Sequence, residues 1–336
     1  MSFSIRNFFS QLYLSVAIEG SECSFYGRVF RAQKLIKTID TKISDSDEKV
    51  LNQKILNYVR ALEKAYSEVY ISLFFNFVTH GAIPTVIRDD FAKFNIQAKD
   101  IATLKMQDSW SIYADKEAVN AAKDILGKDE IDLIYSPIAV LFYELSKRVI
   151  SAKTTLYAYS RQNSFTLCIF KDKKMKLATF VKIDEAEQND EASQNFKEED
   201  ITDIDNVIEK EGDAQLQDDF QSLDDLINTD SGGAQDFEDL NYDINMPASV
   251  DVGRSVEIFG RDMNMFSYIK AAIAEFYANP LYEGDFIEQI IVLDEDKTSA
   301  TFLQYLQSEL LVEASAHPIK TLEVMNELMM KEIVNG

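Results

Sequence analysis

The sequence predicts an α/β protein made of two related halves, each a mixed sheet with helices packed on it. The main observation is that one pattern of three short strands occurs twice, about 140 residues apart. In both triplets apolar residues alternate or run on between polar corners, which is typical of strands. The distance is far longer than a solenoid period of roughly 20–50 residues, so it indicates an internal duplication. The predicted strands are 12–18, 23–32, 35–43, 154–160, 165–171 and 175–183.

Strands and helices alternate after each triplet, as they do where helices pack on a mixed sheet. Apolar residues recur at helical spacing from Val50 to Leu62, and Ser44 or Ser46 is the predicted cap. Residues 75–105 are less regular and are interpreted as a connecting insertion. The other predicted strands are 69–74, 109–114, 131–135 and 287–293, and the other predicted helices are 116–126, 137–149, 255–278, 298–311 and 319–333.

The acidity of the chain belongs to one segment. The net charge is −23, and residues 184–243 carry 22 acidic and 2 basic side chains. Self-repulsion and scarce apolar surface predict that residues 184–252 form a long disordered acidic insertion. The predicted domains are therefore 1–150 for the first half and 151–183 with 253–336 for the second.

Short apolar spacings survive inside the acidic segment, and one of them is a candidate partner-binding site. Its members share one face of a helix, and a helix this short would fold only against a partner surface. The alternatives are incidental apolar residues in a solvated linker, or a helix docked on its own domain. The candidate residues are Phe220, Leu223, Leu226 and Ile227.

Composition and motifs exclude several function classes. No lysine or arginine stripe is available to neutralise phosphates, so we predict no nucleic-acid partner. No segment reaches the roughly 18–20 apolar residues of a membrane span, and no secretory signal is visible, which predicts a cytoplasmic protein. Neither His80 nor His317 has a neighbour at metal-ligand spacing, so we predict no metal site. No hydrolase, protease or Walker motif occurs.

The order of elements resembles the actin-like ATPase superfamily, and within it the PilM-type scaffolds of type IV pilus assembly and the cytoplasmic part of the type II secretion L protein. The resemblance implies two actin-like (ribonuclease-H-like) lobes. Together the matching stretches cover most of the chain outside the acidic segment. They are residues 12–39 (LYLSVAIEG onward), 109–145 (SWSIYADKE onward), the second triplet, and 286–311 (FIEQIIVLDED onward).

The superfamily grips ATP–Mg²⁺ with three loops, and the matching positions depart from all three. Ile18 stands where the first loop has aspartate, Gly20 is kept, and strand alternation is expected to point Glu19 to the other face. The second loop falls at 159–164 around Ser160, without aspartate or glycine. The adenosine turn becomes acidic, with Asp294 and Glu295 followed by a third aspartate. These positions form the expected vestigial nucleotide cleft.

Losing all three loops implies a nucleotide-free, non-enzymatic member with no catalytic residues and no cofactor. The resemblance then implies a cytoplasmic scaffold of a type IV pilus, type II secretion or DNA-uptake machine, held at the inner membrane through protein partners. Two alternatives stay open. One is a functional ATPase with atypical loops, and the other is an acidic regulator that competes for a basic partner.

Overall fold

A computed structural model describes residues 9–127, 130–148, 152–161, 164–172, 174–182, 252–295 and 298–335. Except for Val252, the predicted acidic insertion of residues 184–252 lies outside these ranges, and so do its partner-binding residues. The first sheet has the strand order β3-β2-β1-β4-β8, in which β4 and β8 run parallel to β1. Its strands are β1 Gln11–Glu19, β2 Glu22–Arg31, β3 Lys34–Ser44, β4 Glu68–Phe74 and β8 Leu133–Tyr135.

The second sheet repeats this order. Strands β9, β10 and β11 form an antiparallel meander, and β12 and β13 run parallel to β9, giving β13-β12-β9-β10-β11. The strands are β9 Thr155–Arg161, β10 Ser164–Lys171, β11 Lys174–Lys182, β12 Gln289–Asp294 and β13 Glu313–Pro318. The two sheets share one strand order, as the repeated strand pattern predicted, and the fold is actin-like.

The second sheet is wider than the first because the stretch interpreted as a connecting insertion adds strands to it. Strand β5 (His80–Ile83) pairs with β11 through Ala82 and Ala178, and β7 (Trp110–Asp115) and β6 (Ile101–Met106) follow. The interpretation of residues 75–105 as a mere connection is therefore wrong. Strand β5 is only four residues long, too short to show alternation.

The helices are α1 Glu48–Ala65, α2 Lys116–Asp124, α3 Pro137–Ser146, α4 Val252–Ala278, α5 Ala300–Leu310 and α6 Thr321–Asn335. The cap of α1 is Asp47, whose carboxylate accepts the N–H groups of Lys49 and Val50, so the prediction of Ser44 or Ser46 is wrong. Ser136 caps α3, with Pro137 as its first residue, as the sequence predicted. None of the helices in these ranges is long and apolar enough to cross a bilayer.

Helices α3 and α6 share one core with both sheets. That core contains Tyr13 and Phe74 of the first sheet together with Tyr157 and Phe170 of the second. The buried Asn326 of α6 donates from Nδ2 to the carbonyl oxygen of Tyr13 at 2.7 Å. Helix α6 is thereby fixed against β1.

Candidate functional site

A cavity of about 380 Å³ opens where β1 and β9 end and α6 begins. Carboxyl ends of adjacent strands are the usual place for a ligand in α/β proteins. The lining has more acidic than basic side chains, with Glu22, Asp40 and Glu323 on the acidic side and Lys42 and Lys320 on the basic side. The remaining lining residues include Glu19, Ser24, Tyr26, Arg161, Glu295, Ile319, Thr321 and Leu322.

A buried ion pair joins the two sheets at the bottom of this cavity. Arg161, the last residue of β9, donates from Nη2 to Glu19 Oε2 at 2.6 Å and from Nε to both carboxylate oxygens at 3.1 Å. Both side chains are only 5% exposed. Burial alone would lower the pKa of the Arg161 guanidinium, but the Glu19 carboxylate beside it raises that pKa, so the guanidinium stays protonated.

Arg161 has two further neighbours that fix its position. Its Nη1 lies 3.4 Å from Glu295 Oε1, and its guanidinium lies over the ring of Phe74, 4.8 Å from the ring centroid. An arginine stacked on an aromatic ring and paired with two carboxylates has little freedom to turn towards another anion.

Glu295 also covers the beginning of α6. Its Oε1 accepts the backbone N–H of Thr321 at 2.6 Å, and the Thr321 hydroxyl is hydrogen-bonded to the buried Tyr159. The free N–H groups of a helix N-terminus attract anions. Here the chain supplies that anion itself, in the form of the Glu295 carboxylate.

Ile18 and Glu19 point in directions opposite to those expected from the sequence, which placed Ile18 in the cleft and Glu19 on the other face of the strand. Ile18 packs against the core that the first sheet shares with α1 and α2, and Glu19 lines the cavity. The two side chains do alternate, as the sequence predicted, but the glutamate rather than the isoleucine faces the cavity. Gly20 has φ +55°, a left-handed conformation that suits the tight turn from β1 to β2.

Asp294 and Ser160 are neighbours across β12 and β9, and both are buried. Asp294 accepts from Arg261 Nη2 at 2.8 Å and from the Thr298 hydroxyl at 2.7 Å. The Ser160 hydroxyl is buried without a hydrogen-bond partner among the described residues. The acidic turn at the end of β12 is therefore held by a cation and a hydroxyl of the chain itself.

Of the predicted cleft residues, the structure thus brings Glu19 and Glu295 to one cavity, while Ile18 lies on the other face of β1. Gly20, Ser160 and Asp294 do not line the cavity. Sequence reasoning missed Arg161, which is the central residue of the site. The available signal was an arginine at the end of a strand whose other residues are mostly uncharged. The described residues contain no group of three or more histidine, cysteine or acidic side chains arranged to hold a metal ion.

A family model described as a domain of unknown function, DUF8341, matches residues 156–334, which is more than half of the 336 residues. The chain belongs to the DUF8341 family. A second model, for the domain of unknown function DUF8569, matches residues 8–142 of this DUF8341 member. The match at 8–142 contains the first meander, β1 to β3, and the match at 156–334 contains almost all of the second, β9 to β11. No curated protein matches the chain.

Solved structures similar to this DUF8341 member include a protein of unknown function with an actin-like ATPase fold from Bacteroides thetaiotaomicron VPI-5482. It has 10% identity and a TM-score of 0.48 over 94% of this chain and 96% of that one. A chain of a PilM–PilN type IV pilus biogenesis complex has 11% identity and a TM-score of 0.49, covering 93% and 89%. Acetate kinase from Entamoeba histolytica has 9% identity and a TM-score of 0.40, covering 96% and 99%. At sequence identities this low, the similarity concerns the fold alone.

Proposed function

We propose that this protein is a non-enzymatic scaffold that acts by protein–protein interaction and has given up the nucleotide of its fold. The observation that carries the proposal is the buried pair of Arg161 and Glu19, 2.6 Å apart. A carboxylate bound by three guanidinium N–H···O contacts is a poor ligand for Mg²⁺, because the metal would have to displace the arginine.

The charges that line the cavity also disfavour binding of a nucleotide. Each basic residue of the lining is already paired with a carboxylate: Lys42 with Glu22, Lys320 with Glu323, and Arg161 as described above. A triphosphate entering the cavity would therefore meet more acid than base, together with a helix N-terminus that Glu295 already covers. Binding would require breaking pairs that the chain has made for itself.

We expect calorimetric titration of the full chain with Mg²⁺–ATP to show no binding at nucleotide concentrations up to about 1 mM, since no group is left to hold the phosphates. ADP and inorganic phosphate are titrated in parallel, because a vestigial site could keep only part of the ligand. A micromolar affinity for ATP, or turnover above background, would contradict the proposal and establish the atypical ATPase instead.

The sequence resemblance gives the finer proposal, which is a scaffold for a pilus, secretion or DNA-uptake machine on the cytoplasmic side of an inner membrane. The part proposed to reach partners is the acidic segment, through Phe220, Leu223, Leu226 and Ile227. Apolar residues at helical spacing are what a groove on a partner would recognise.

We expect pull-down of partners from cell extract to fall at least about fivefold when residues 184–243 are deleted, if this segment is the recognition element. A matched variant keeps all the acidic residues and changes only Phe220, Leu223, Leu226 and Ile227 to serine. Loss of partners in both variants supports apolar recognition. Loss in the deletion alone, with binding that disappears at high salt, supports the acidic regulator. Equal recovery of partners with the unchanged protein, the deletion and the serine variant would show that the acidic segment does not bind them.

A further inference from the structure

A second cavity, of about 350 Å³, lies over the seam where β11 meets β5. The two strands are joined there through only one aligned pair, Ala178 and Ala82. On one side of the seam α4 covers the meander, and on the other side the 3-10 helix Arg88–Phe94 covers the added strands. The cavity is the gap between these two covering layers.

The chemistry of the lining changes from the floor to the mouth. Leu167, Leu177 and Ala272 are buried and form an aliphatic floor. Four half-buried aromatic residues form the walls, and Glu275 is an exposed carboxylate of α4. The aromatic residues are Phe94, Tyr113, Tyr268 and Tyr282.

Glu275 is the charged residue of this lining, and no lysine or arginine is found among the described residues around the cavity. Its Oε1 accepts from Asn279 at 2.9 Å, and no ion pair joins it to a base within the described ranges. Phe94 and Tyr282 lie with ring centroids 6.0 Å apart. Glu275 and Tyr282 both line this cavity. Burial, followed by the Glu275 charge, raises the pKa of Tyr282.

We propose that this cavity binds a small amphiphilic cation, an alkylammonium or arylalkylammonium compound. Its apolar body fills the aliphatic floor, and its ammonium group lies at the mouth between Glu275 and the ring of Tyr282. Aromatic faces and a carboxylate both attract a cation, and an apolar floor without acids accepts only an uncharged body.

Because the floor of the cavity is apolar and its mouth carries the charge, the cavity suits a free amine better than a basic side chain of a partner protein. A lysine entering from outside would bring its ammonium group first, into the aliphatic floor, where no acidic side chain is present. A free amine can enter with its hydrocarbon end first and keep its charge at the rim. The geometry therefore favours the free compound over the tethered side chain.

The test compares hexylammonium with 1-hexanol by ligand-observed NMR and calorimetry on the full chain. We expect hexylammonium to bind about fivefold more tightly than the alcohol, and the difference to shrink at high salt, because part of the preference is an exposed ion pair. Equal affinities of amine and alcohol, or no binding of the amine at about 5 mM, would overturn the proposal. N-acetyl-lysine methylamide binding as tightly as hexylammonium would overturn it in favour of a partner's side chain.

Two variants locate the binding. Glu275→Gln keeps the size of an exposed side chain and is expected to remove most of the preference for hexylammonium over hexanol, leaving the affinity for hexanol unchanged. Tyr282→Leu removes the aromatic face and is expected to weaken the amine more than the alcohol. The matched control is Glu309→Gln, an exposed glutamate of α5 outside the cavity. Equal losses from Glu275→Gln and Glu309→Gln would show a general charge effect and contradict the proposed site.

Discussion

Replacing Arg161 with methionine is expected to lower the free energy of unfolding by about 3–5 kcal/mol, the usual cost of removing one partner from a buried ion pair. Glu19 would remain with a side chain only 5% exposed and without the cation that makes three contacts to it. Methionine can still pack on Phe74, so the loss reports mainly the unpaired carboxylate. The measurement is urea denaturation at pH 7, compared with the unchanged protein.

A double variant shows whether charge burial is the cause. Glu19→Leu combined with Arg161→Met removes both charges, and we expect it to regain at least about half of the lost stability, since apolar residues often replace a buried pair without cost. The control is Glu295→Gln, expected to cost under about 1 kcal/mol because Glu295 is 28% exposed and an amide oxygen still accepts the Thr321 N–H. A loss below 1 kcal/mol from Arg161→Met would contradict the central role of the pair.

The sequence predicted those parts of the fold in which neighbours in the chain decide the structure. The strand β1 was visible because polar residues flank an apolar run, and α3 because serine and proline mark its start. The short β5 was not visible, because its four residues are held by pairing with β7 and β11 rather than by their own pattern. The strand β13 was missed because all six of its residues are polar, small or proline, and its pairing with β12 determines it.

The site was only partly predictable, for a related reason. The losses at the three nucleotide loops are visible in the residues themselves. What replaces the nucleotide depends on which side chains meet across the two sheets, and Glu19 and Arg161 are 142 positions apart in the chain. Alternation predicted that Ile18 and Glu19 face opposite ways but could not say which of them faces the cavity, because both faces of the first sheet are covered.

His80 provides a second test of the packing in the second sheet. It lies on β5, is 5% exposed and packs between Phe75 and Phe180, with ring centroids at 5.2 and 4.4 Å. Its Nδ1 lies 2.5 Å from the carbonyl oxygen of Phe77, and its Nε2 has no partner among the described residues. Nδ1 therefore carries the proton, and a second proton on Nε2 would be buried without an acceptor. Burial lowers the pKa of His80 to about 4, although the Phe77 carbonyl acts in the opposite direction.

We expect His80 to make the protein about 3 kcal/mol less stable at pH 4 than at pH 7, because the unfolded chain takes up a proton near pH 6.5 and the folded chain only near pH 4. Between these values the unfolded state binds more protons, so stability falls as the pH falls through 6.5 and levels off below 4. Above pH 7 the residue contributes no slope. The measurement is the free energy of unfolding in urea at half-unit steps of pH.

The variant His80→Phe keeps the ring between its two aromatic neighbours and removes the titration. At pH 7 we expect it to cost about 1 kcal/mol, since the Phe77 carbonyl loses its donor, and at pH 4.5 to be more stable than the unchanged protein. His317→Gln is the control, because His317 is the other histidine of the chain and is exposed. Parallel pH profiles for His80→Phe and the unchanged protein would mean that β5 does not bury this ring. The same result would also contradict the pairing of β5 with β11, on which the wider second sheet depends.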